Sequence, residues 1–325
     1  MTYSKKSPQR LFVTGRYTLT LLLVGAALLW IAGWLLNIGG PLAHDIPLPY
    51  SLPLWAEHII SFCIYIAVAF ILNSFIIIEG RTPWMGGIMM WLTGLLFSVQ
   101  EDMSLSLSLF MLIMLASILL SCYNCDVAEH RLFVTFMAAA VCTILFPQFA
   151  YILPFIVLYP MTTSLISFKG LVASLLGFIT PYWLYLGTAT LLSQFAVAWG
   201  KLCVAWDGLW AVHIMEPSTM NIAVSALEVA TMMLSVFLFI RGVNPTKPLM
   251  RRTLLFFVLL NIYLWVLSIF KTQDACMLMA WRLPGLAAMS AYIFSFKFTK
   301  LFNIYFVILN IGWMAIAILG LWNGL

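Results

Sequence analysis

Three acidic residues in the first third of the chain offer the most direct chemistry. Asp45 follows His44 in a stretch, 39–50, whose prolines prevent a regular helix and hold both side chains on a constrained turn. Glu101 and Asp102 are adjacent carboxylates before an apolar run. Carboxylates serve as general bases or as ligands of a divalent metal ion. The pattern predicts Asp45, Glu101 and Asp102 as catalytic residues, His44 as a substrate contact and a divalent metal ion as the candidate cofactor.

Both acidic stretches also have a structural interpretation. The first is compatible with a solvated loop that caps a helical bundle. The carboxylates of Glu101 and Asp102 are favourable at a helix N-terminus because of the helix dipole, without any reaction. Both interpretations stay open at the level of sequence.

Two charged residues, Glu228 and Arg282, lie inside long apolar runs. Each is roughly 6–8 residues from the predicted outer end of its run, which places both about 10 Å deep. A charge inside a membrane costs at least about 2.5 kcal/mol on insertion scales, so it normally pairs or lines a cavity. We predict that Glu228 and Arg282 are partners, either at a substrate cavity or as a structural ion pair.

Arg282 has a second predicted role as a phosphate contact. A guanidinium group binds phosphate oxygens in a bidentate manner. Pro284 and Gly285 follow closely and are expected to break the helix, as happens where irregular backbone lines a cavity. Glu228 and Arg282 are therefore both candidate substrate-binding residues.

The segment 193–219 predicts a helix in the outer membrane interface. Four of its residues follow a 4-3-4 spacing that puts them on one helical face: Trp199, Cys203, Trp206 and Trp210. Indole rings favour the headgroup level of a bilayer. One interpretation is a platform for a lipid-linked substrate, with Trp206, Trp210 and His213 as binding residues; the other is an ordinary aromatic belt.

The composition predicts the type of secondary structure that carries these residues. Of 325 residues, 64% are hydrophobic and 8% are charged, against about 25% charged in soluble domains, and the mean hydropathy is +1.05. These values exclude a soluble globular protein, a disordered chain and a nucleic-acid-binding protein. Apolar runs of helical length predict an all-α fold, a polytopic transmembrane bundle that forms a single membrane domain over 1–325, with membrane lipids as its partners.

Eleven apolar runs approach the roughly 20 residues that a spanning helix needs. They lie at roughly 17–36, 58–78, 84–99, 103–121, 132–147, 149–166, 170–192, 221–240, 253–270, 276–295 and 302–322. The third run contains glycines suited to close helix packing. Prolines interrupt 132–166, which predicts either two short spans or one span and a re-entrant segment.

The basic residues orient these spans. With a cytoplasmic N-terminus, the inner connections hold most of the 16 Lys and Arg residues. These are Lys5, Lys6, Arg10, Arg16, Arg81, Arg131, Lys169, Arg241, Lys247, Arg251, Arg252, Lys297 and Lys300. The positive-inside rule thus predicts a cytoplasmic N-terminus, an outer C-terminus and a multi-pass protein of the cell inner membrane.

The acidic residues show the opposite bias. On the predicted outer side lie Asp45, Glu57, Glu101, Asp102, Asp207, Glu216 and Asp274. Acidic residues contribute little to membrane topology, so insertion does not explain this bias. It points to function on the outer face.

Two stretches of the C-terminal half carry a family resemblance. They are Ser-Phe-Lys-Gly at 167–170 with Leu-Leu-Gly-Phe-Ile-Thr-Pro-Tyr at 175–182, and the run from Arg251 and Arg252 to the end, with Ser290 and Tyr292. Through them the chain resembles an uncharacterised family of polytopic inner-membrane proteins from Bacteroidetes-type bacteria. Genes of that family tend to lie beside a polyprenyl-phosphate mannose synthase, so the resemblance implies lipid-linked sugar chemistry.

In outline the chain is also similar to membrane glycosyltransferases of the GT-C class. These enzymes carry an acidic residue in the first outer loop, often another in the second, and use a polyprenyl-phosphate sugar at the outer leaflet. Asp45 and Glu101-Asp102 match those places, and Arg282 would contact the phosphate. The first outer loop here is shorter than in that class, and the in-plane candidate lies at 193–219 instead.

Three hypotheses follow. The first is a GT-C-like transferase that uses a polyprenyl-phosphate lipid at the outer leaflet. The second is a transporter or flippase for a small molecule or lipid, with Glu228 and Arg282 along its path. The third is a non-catalytic membrane subunit of a larger assembly.

Overall fold

A computed structural model describes the greater part of the chain. The described residues are 18–36, 53–75, 85–96, 100, 103–122, 128–162, 167–210, 219–240, 248–294 and 300–324. Within these ranges there are twelve α-helices and two short 3-10 helices, and no strand. The predicted all-α fold is confirmed.

The helices follow the apolar runs of the sequence. The first six are α1 (Thr18–Leu36), α2 (Leu54–Phe75), α3 (Met85–Leu95), α4 (Met103–Ser121), α5 (Ala128–Leu145) and α6 (Leu153–Thr162). The last six are α7 (Phe168–Leu191), α8 (Phe195–Trp210), α9 (Thr219–Ile240), α10 (Pro248–Phe270), α11 (Ala275–Phe294) and α12 (Lys300–Gly324). Each of the eleven predicted runs overlaps one helix, and the predicted interfacial segment contains α8.

Six helices are long and apolar enough to cross a membrane: α1, α2, α4, α7, α10 and α11. This is the pattern of a multi-pass integral membrane protein. The total of eleven spans and the inside–outside orientation stay predictions.

Two of the predicted spans form short helices. The 11 residues of α3 and the 10 residues of α6 extend about 16 Å and 15 Å, roughly half the hydrocarbon thickness. In the 132–166 region, Phe146 has an extended backbone and the 3-10 helix Pro147–Tyr151 separates α5 from α6. Proline disfavours helix at the residue before it, which explains the break.

The chain divides into two compact units. The first contains residues 1–110 and 214–325, and the second contains residues 111–213. Unit 1 holds α1–α3, the first part of α4 and α9–α12. Unit 2 holds the rest of α4 and α5–α8.

The short helix α3 lies at the centre of unit 1. It contacts α1, α2, α11 and α12, and all of its residues except Trp91 are buried. A Cβ at Gly86 would overlap the Ala69 carbonyl oxygen, so glycine permits the close approach of α2 that the sequence predicts. The Gln100 amide donates to the carbonyls of Thr93 (3.1 Å) and Gly94 (2.9 Å), which satisfies backbone groups at the helix end.

Unit 2 is built on the long contact between α5 and α7. At Gly177 a Cβ would overlap the Phe133 carbonyl oxygen, so the two backbones touch. The hydroxyls of Thr143 and Tyr182 lie 2.7 Å apart and share a hydrogen bond. These contacts join α5 to one side of α7, while much of the remaining surface of α7 is exposed.

Candidate functional site

Glu228 and Arg282 meet inside unit 1, where α9 packs against α11. The Nη1 atom of Arg282 lies 2.9 Å from Oε2 of Glu228, and the two side chains are only 5% and 6% exposed. Glu228 lies nine residues after the first residue of α9, and Arg282 lies seven residues after the first residue of α11. Measured from these N-terminal ends, their depths are about 14 Å and 10 Å. The prediction that the two charges are partners is confirmed.

The space around the ion pair is small. Its walls are apolar apart from one amide: Val229, Met232, Asn261, Trp265, Leu286 and Met289. The cavity volume is about 10 Å³, which is near the minimum for one water molecule. A phosphate group is larger than a water molecule, so it would have to displace Glu228 to reach Arg282. The phosphate and substrate roles of both residues stay predictions.

The ion pair is held by charge more than by aligned hydrogen bonds. Both carboxylate oxygens of Glu228, and Nε and Nη1 of Arg282, are buried without a hydrogen bond of good geometry. Such a pair adds little net stability, yet removing one partner is strongly unfavourable, because the other charge is then buried alone. The arrangement favours a structural ion pair over a ligand cavity.

The expected helix break beside Arg282 is wrong. Pro284 lies inside α11, which continues unbroken to Phe294. Neighbouring helices surround α11 on its sides and tolerate the backbone carbonyl that proline leaves unbonded. Gly285 serves close packing instead, because a Cβ there would overlap the side-chain nitrogen of Asn261 on α10.

A large apolar groove lies in unit 2 between α7 and α8. Its volume is about 640 Å³. It is lined by Phe178, Ile179, Tyr182, Trp183 and Leu186 of α7 and by Trp199, Leu202, Cys203 and Trp206 of α8. The prediction that Trp199, Cys203 and Trp206 share one helical face is confirmed, since all three line this groove. The side chain of Trp210 and all of His213 lie outside the described residues.

A second apolar groove lies nearer the N-terminal end of α7. It measures about 260 Å³ and is lined by Phe136 of α5, by Leu153, Val157 and Met161 of α6, and by Leu171, Ser174, Leu175 and Phe178 of α7. Phe178 lines both grooves. Sequence reasoning missed this surface because its walls come from three helices, which no local pattern connects.

The predicted catalytic residues cannot be placed beside these features. His44, Asp45, Glu101 and Asp102 lie outside the described residues. Among the residues that the structure describes, no group of three or more His, Cys, Asp or Glu side chains is arranged to hold a metal ion. The catalytic and metal predictions therefore stay predictions.

Comparison with known proteins does not assign the chain to a family. No protein-family model matches the chain, and neither a curated protein nor a solved structure shows significant similarity to it. The helices establish an all-α fold with the character of a multi-pass membrane protein.

Proposed function

We propose that the protein is an inner-membrane transferase of GT-C-like chemistry that binds the hydrocarbon chain of a polyprenyl-phosphate sugar between α7 and α8. The observation that carries the proposal is the 640 Å³ groove formed by these two helices. The positive-inside rule predicts that α8 and the acidic residues Asp45, Glu101 and Asp102 lie on the same outer side of the membrane.

The lining of the groove suits a hydrocarbon chain. Trp183, Trp199 and Trp206 contribute exposed aromatic surface, and indoles combine an apolar ring with a polar edge suited to the headgroup level. The hydroxyl of Tyr182 is bonded to Thr143, so it is not left facing a lipid chain without a partner. A concave, mostly apolar site of this size is typical of small-molecule and lipid binding.

The proposed reaction takes place at the headgroup. A carboxylate, with Asp45 the first choice, removes the proton of an acceptor hydroxyl while the acceptor oxygen forms a bond to the anomeric carbon of the sugar. The bond between that carbon and the phosphate oxygen breaks, and polyprenyl phosphate leaves. Glu101 and Asp102 would hold a divalent metal ion that neutralises the departing phosphate.

Asp45→Asn tests the transferase proposal. Purified protein in vesicles is given a polyprenyl-phosphate sugar and a soluble acceptor, and sugar transfer and donor binding are both measured. We expect transfer to fall by about 10²-fold or more, because a general base contributes about 10²–10⁴-fold, while donor binding persists. Glu57→Gln, which removes another carboxylate of the predicted outer side that is not a candidate site residue, is the matched control. Transfer at the wild-type rate in the Asp45→Asn variant would overturn the proposal.

A transporter is the second candidate, and it would require the ion pair of Glu228 and Arg282, which has almost no free space around it, to open onto a path. Charges inside membrane helices commonly mark ion and substrate paths, and Glu228 and Arg282 are such charges. Vesicles that carry the protein would then move a lipid or small substrate between leaflets, and Glu228→Gln would stop that movement. If vesicles transfer sugar and show no such movement, the transporter is rejected.

A further inference from the structure

We infer that the ion pair of Glu228 and Arg282 binds one buried water molecule, which completes the hydrogen bonds of both side chains. The site is the small cavity in unit 1 whose walls come from α9, α10 and α11. The inference does not depend on the proposed function, because it concerns the interior of unit 1 and not the grooves of unit 2.

Four polar atoms of the ion pair need hydrogen-bond partners. Oε1 and Oε2 of Glu228 and Nε and Nη1 of Arg282 are buried, and within the described part of the chain none of them makes a hydrogen bond. Nη1 lies 2.9 Å from Oε2, but this contact is electrostatic and lacks hydrogen-bond geometry. A buried polar group without a partner is costly, and such groups are therefore bonded to the protein or to ordered water.

The other side chains of the cavity do not supply these partners. The amide nitrogen of Asn261 donates to the Phe257 carbonyl, one turn earlier in α10, at 3.2 Å. The remaining walls are aliphatic, thioether and indole side chains, and none of these described groups is bonded to the pair. The partner must therefore be a small molecule inside the cavity.

The volume and the bonding capacity of the site select water. The cavity measures about 10 Å³, which is near the minimum for one water molecule, and a buried water needs about two to four polar partners. Water donates two hydrogen bonds and accepts two, which matches two carboxylate acceptors and two guanidinium donors. An ion would add a net charge to a neutral pair inside a membrane helix, where an uncompensated charge is costly. A single neutral water molecule satisfies both limits.

Met289 lines the cavity and reports on water inside it. X-rays split water into hydroxyl radicals, and a methionine close to such a radical gains one oxygen atom as the sulfoxide. Met289 is 1% exposed and Met89 of α3 is 0% exposed, so bulk water reaches neither side chain. Met89 does not line the cavity and is therefore the matched internal control.

The experiment is X-ray hydroxyl-radical footprinting of the full chain in lipid nanodiscs, with sulfoxide at each methionine measured by mass spectrometry against dose. We expect Met289 to be oxidised several-fold faster than Met89 in the wild type. The variant Glu228→Leu/Arg282→Leu leaves the cavity without the ion pair, and apolar cavities stay dry. In this variant the rate at Met289 should fall to the rate at Met89.

Two results would overturn the inference. If Met289 is oxidised as slowly as Met89 in the wild type, the cavity holds no water. If Met289 is oxidised fast in the wild type and equally fast in the double variant, while Met89 stays protected, the ion pair does not hold the water. Fast oxidation of Met89 in the double variant would show a loosened core, and the wild-type comparison then decides.

Discussion

Helices α11 and α7 are nearly equally apolar and both contain a proline, yet their surroundings are opposite. Nearly all residues of Ala275–Ile293 in α11 are buried, whereas only five of the 24 residues of Phe168–Leu191 in α7 are buried. In α11 the buried positions include Arg282, which has a paired carboxylate, and Trp281, whose indole N–H donates to Ser108 at 3.1 Å. In α7 the exposed positions are large apolar side chains that form the walls of grooves.

The two helices accommodate polar groups in different ways. A buried membrane helix accommodates charge by pairing it, and leaves almost no space around the pair. An exposed membrane helix keeps its polar atoms bonded internally and shapes its apolar surface. The proposed ligand site is therefore on α7, although α11 carries the charged residues that stand out in the sequence.

The largest expected effect on stability comes from removing one partner of the ion pair in unit 1. Glu228→Ala leaves the Arg282 charge buried without its partner, and we expect the free energy of unfolding to fall by about 3–5 kcal/mol. Reversible unfolding in mixed micelles measures this. The double variant Glu228→Leu/Arg282→Leu removes both charges and should recover most of the lost stability.

The double variant also separates the two interpretations of the pair. If stability and sugar transfer both return, the pair is structural. If stability returns but activity does not, Glu228 and Arg282 have a functional role. A double variant as unstable as Glu228→Ala would contradict the ion-pair account.

A smaller effect is expected from one methyl group placed on each helix. Gly285→Ala puts a Cβ onto the side chain of Asn261, and such overpacking typically costs about 1–3 kcal/mol. Gly187→Ala on α7 meets no atom within 4 Å, so it should be neutral or stabilise by about 0.5–1 kcal/mol through helix propensity. Thermal unfolding in detergent compares the two; equal losses would contradict the assigned environments.

The helices were largely predictable from the sequence because hydropathy acts locally. The run 103–121 coincides with α4, and the partnership of Glu228 and Arg282 followed from the cost of charge at matched depth. Trp199, Cys203 and Trp206 share a face as their spacing predicts. These inferences use only helix geometry and the bilayer as solvent.

The remaining features depend on packing between distant segments. Pro284 was expected to end a helix, but its burial among neighbouring helices keeps α11 intact. At the C-terminal end of α3 the Gln100 amide donates to the carbonyls of Thr93 and Gly94, a contact that hydropathy does not report. The second apolar groove joins residues from α5, α6 and α7, and no local pattern predicts that they lie together.

In the proposed function, the aromatic groove of α7 and α8 binds the chain of a lipid-linked substrate. The most direct measurement is binding of an undecaprenyl-length phosphate in vesicles to Trp199→Ala/Trp206→Ala and to Trp55→Ala. Trp55 is also an exposed tryptophan, at the start of α2 and outside the groove. We expect about tenfold weaker binding, or about 1.4 kcal/mol, for the double variant and unchanged binding for Trp55→Ala. Equal losses in both, or no loss in the double variant, would contradict it.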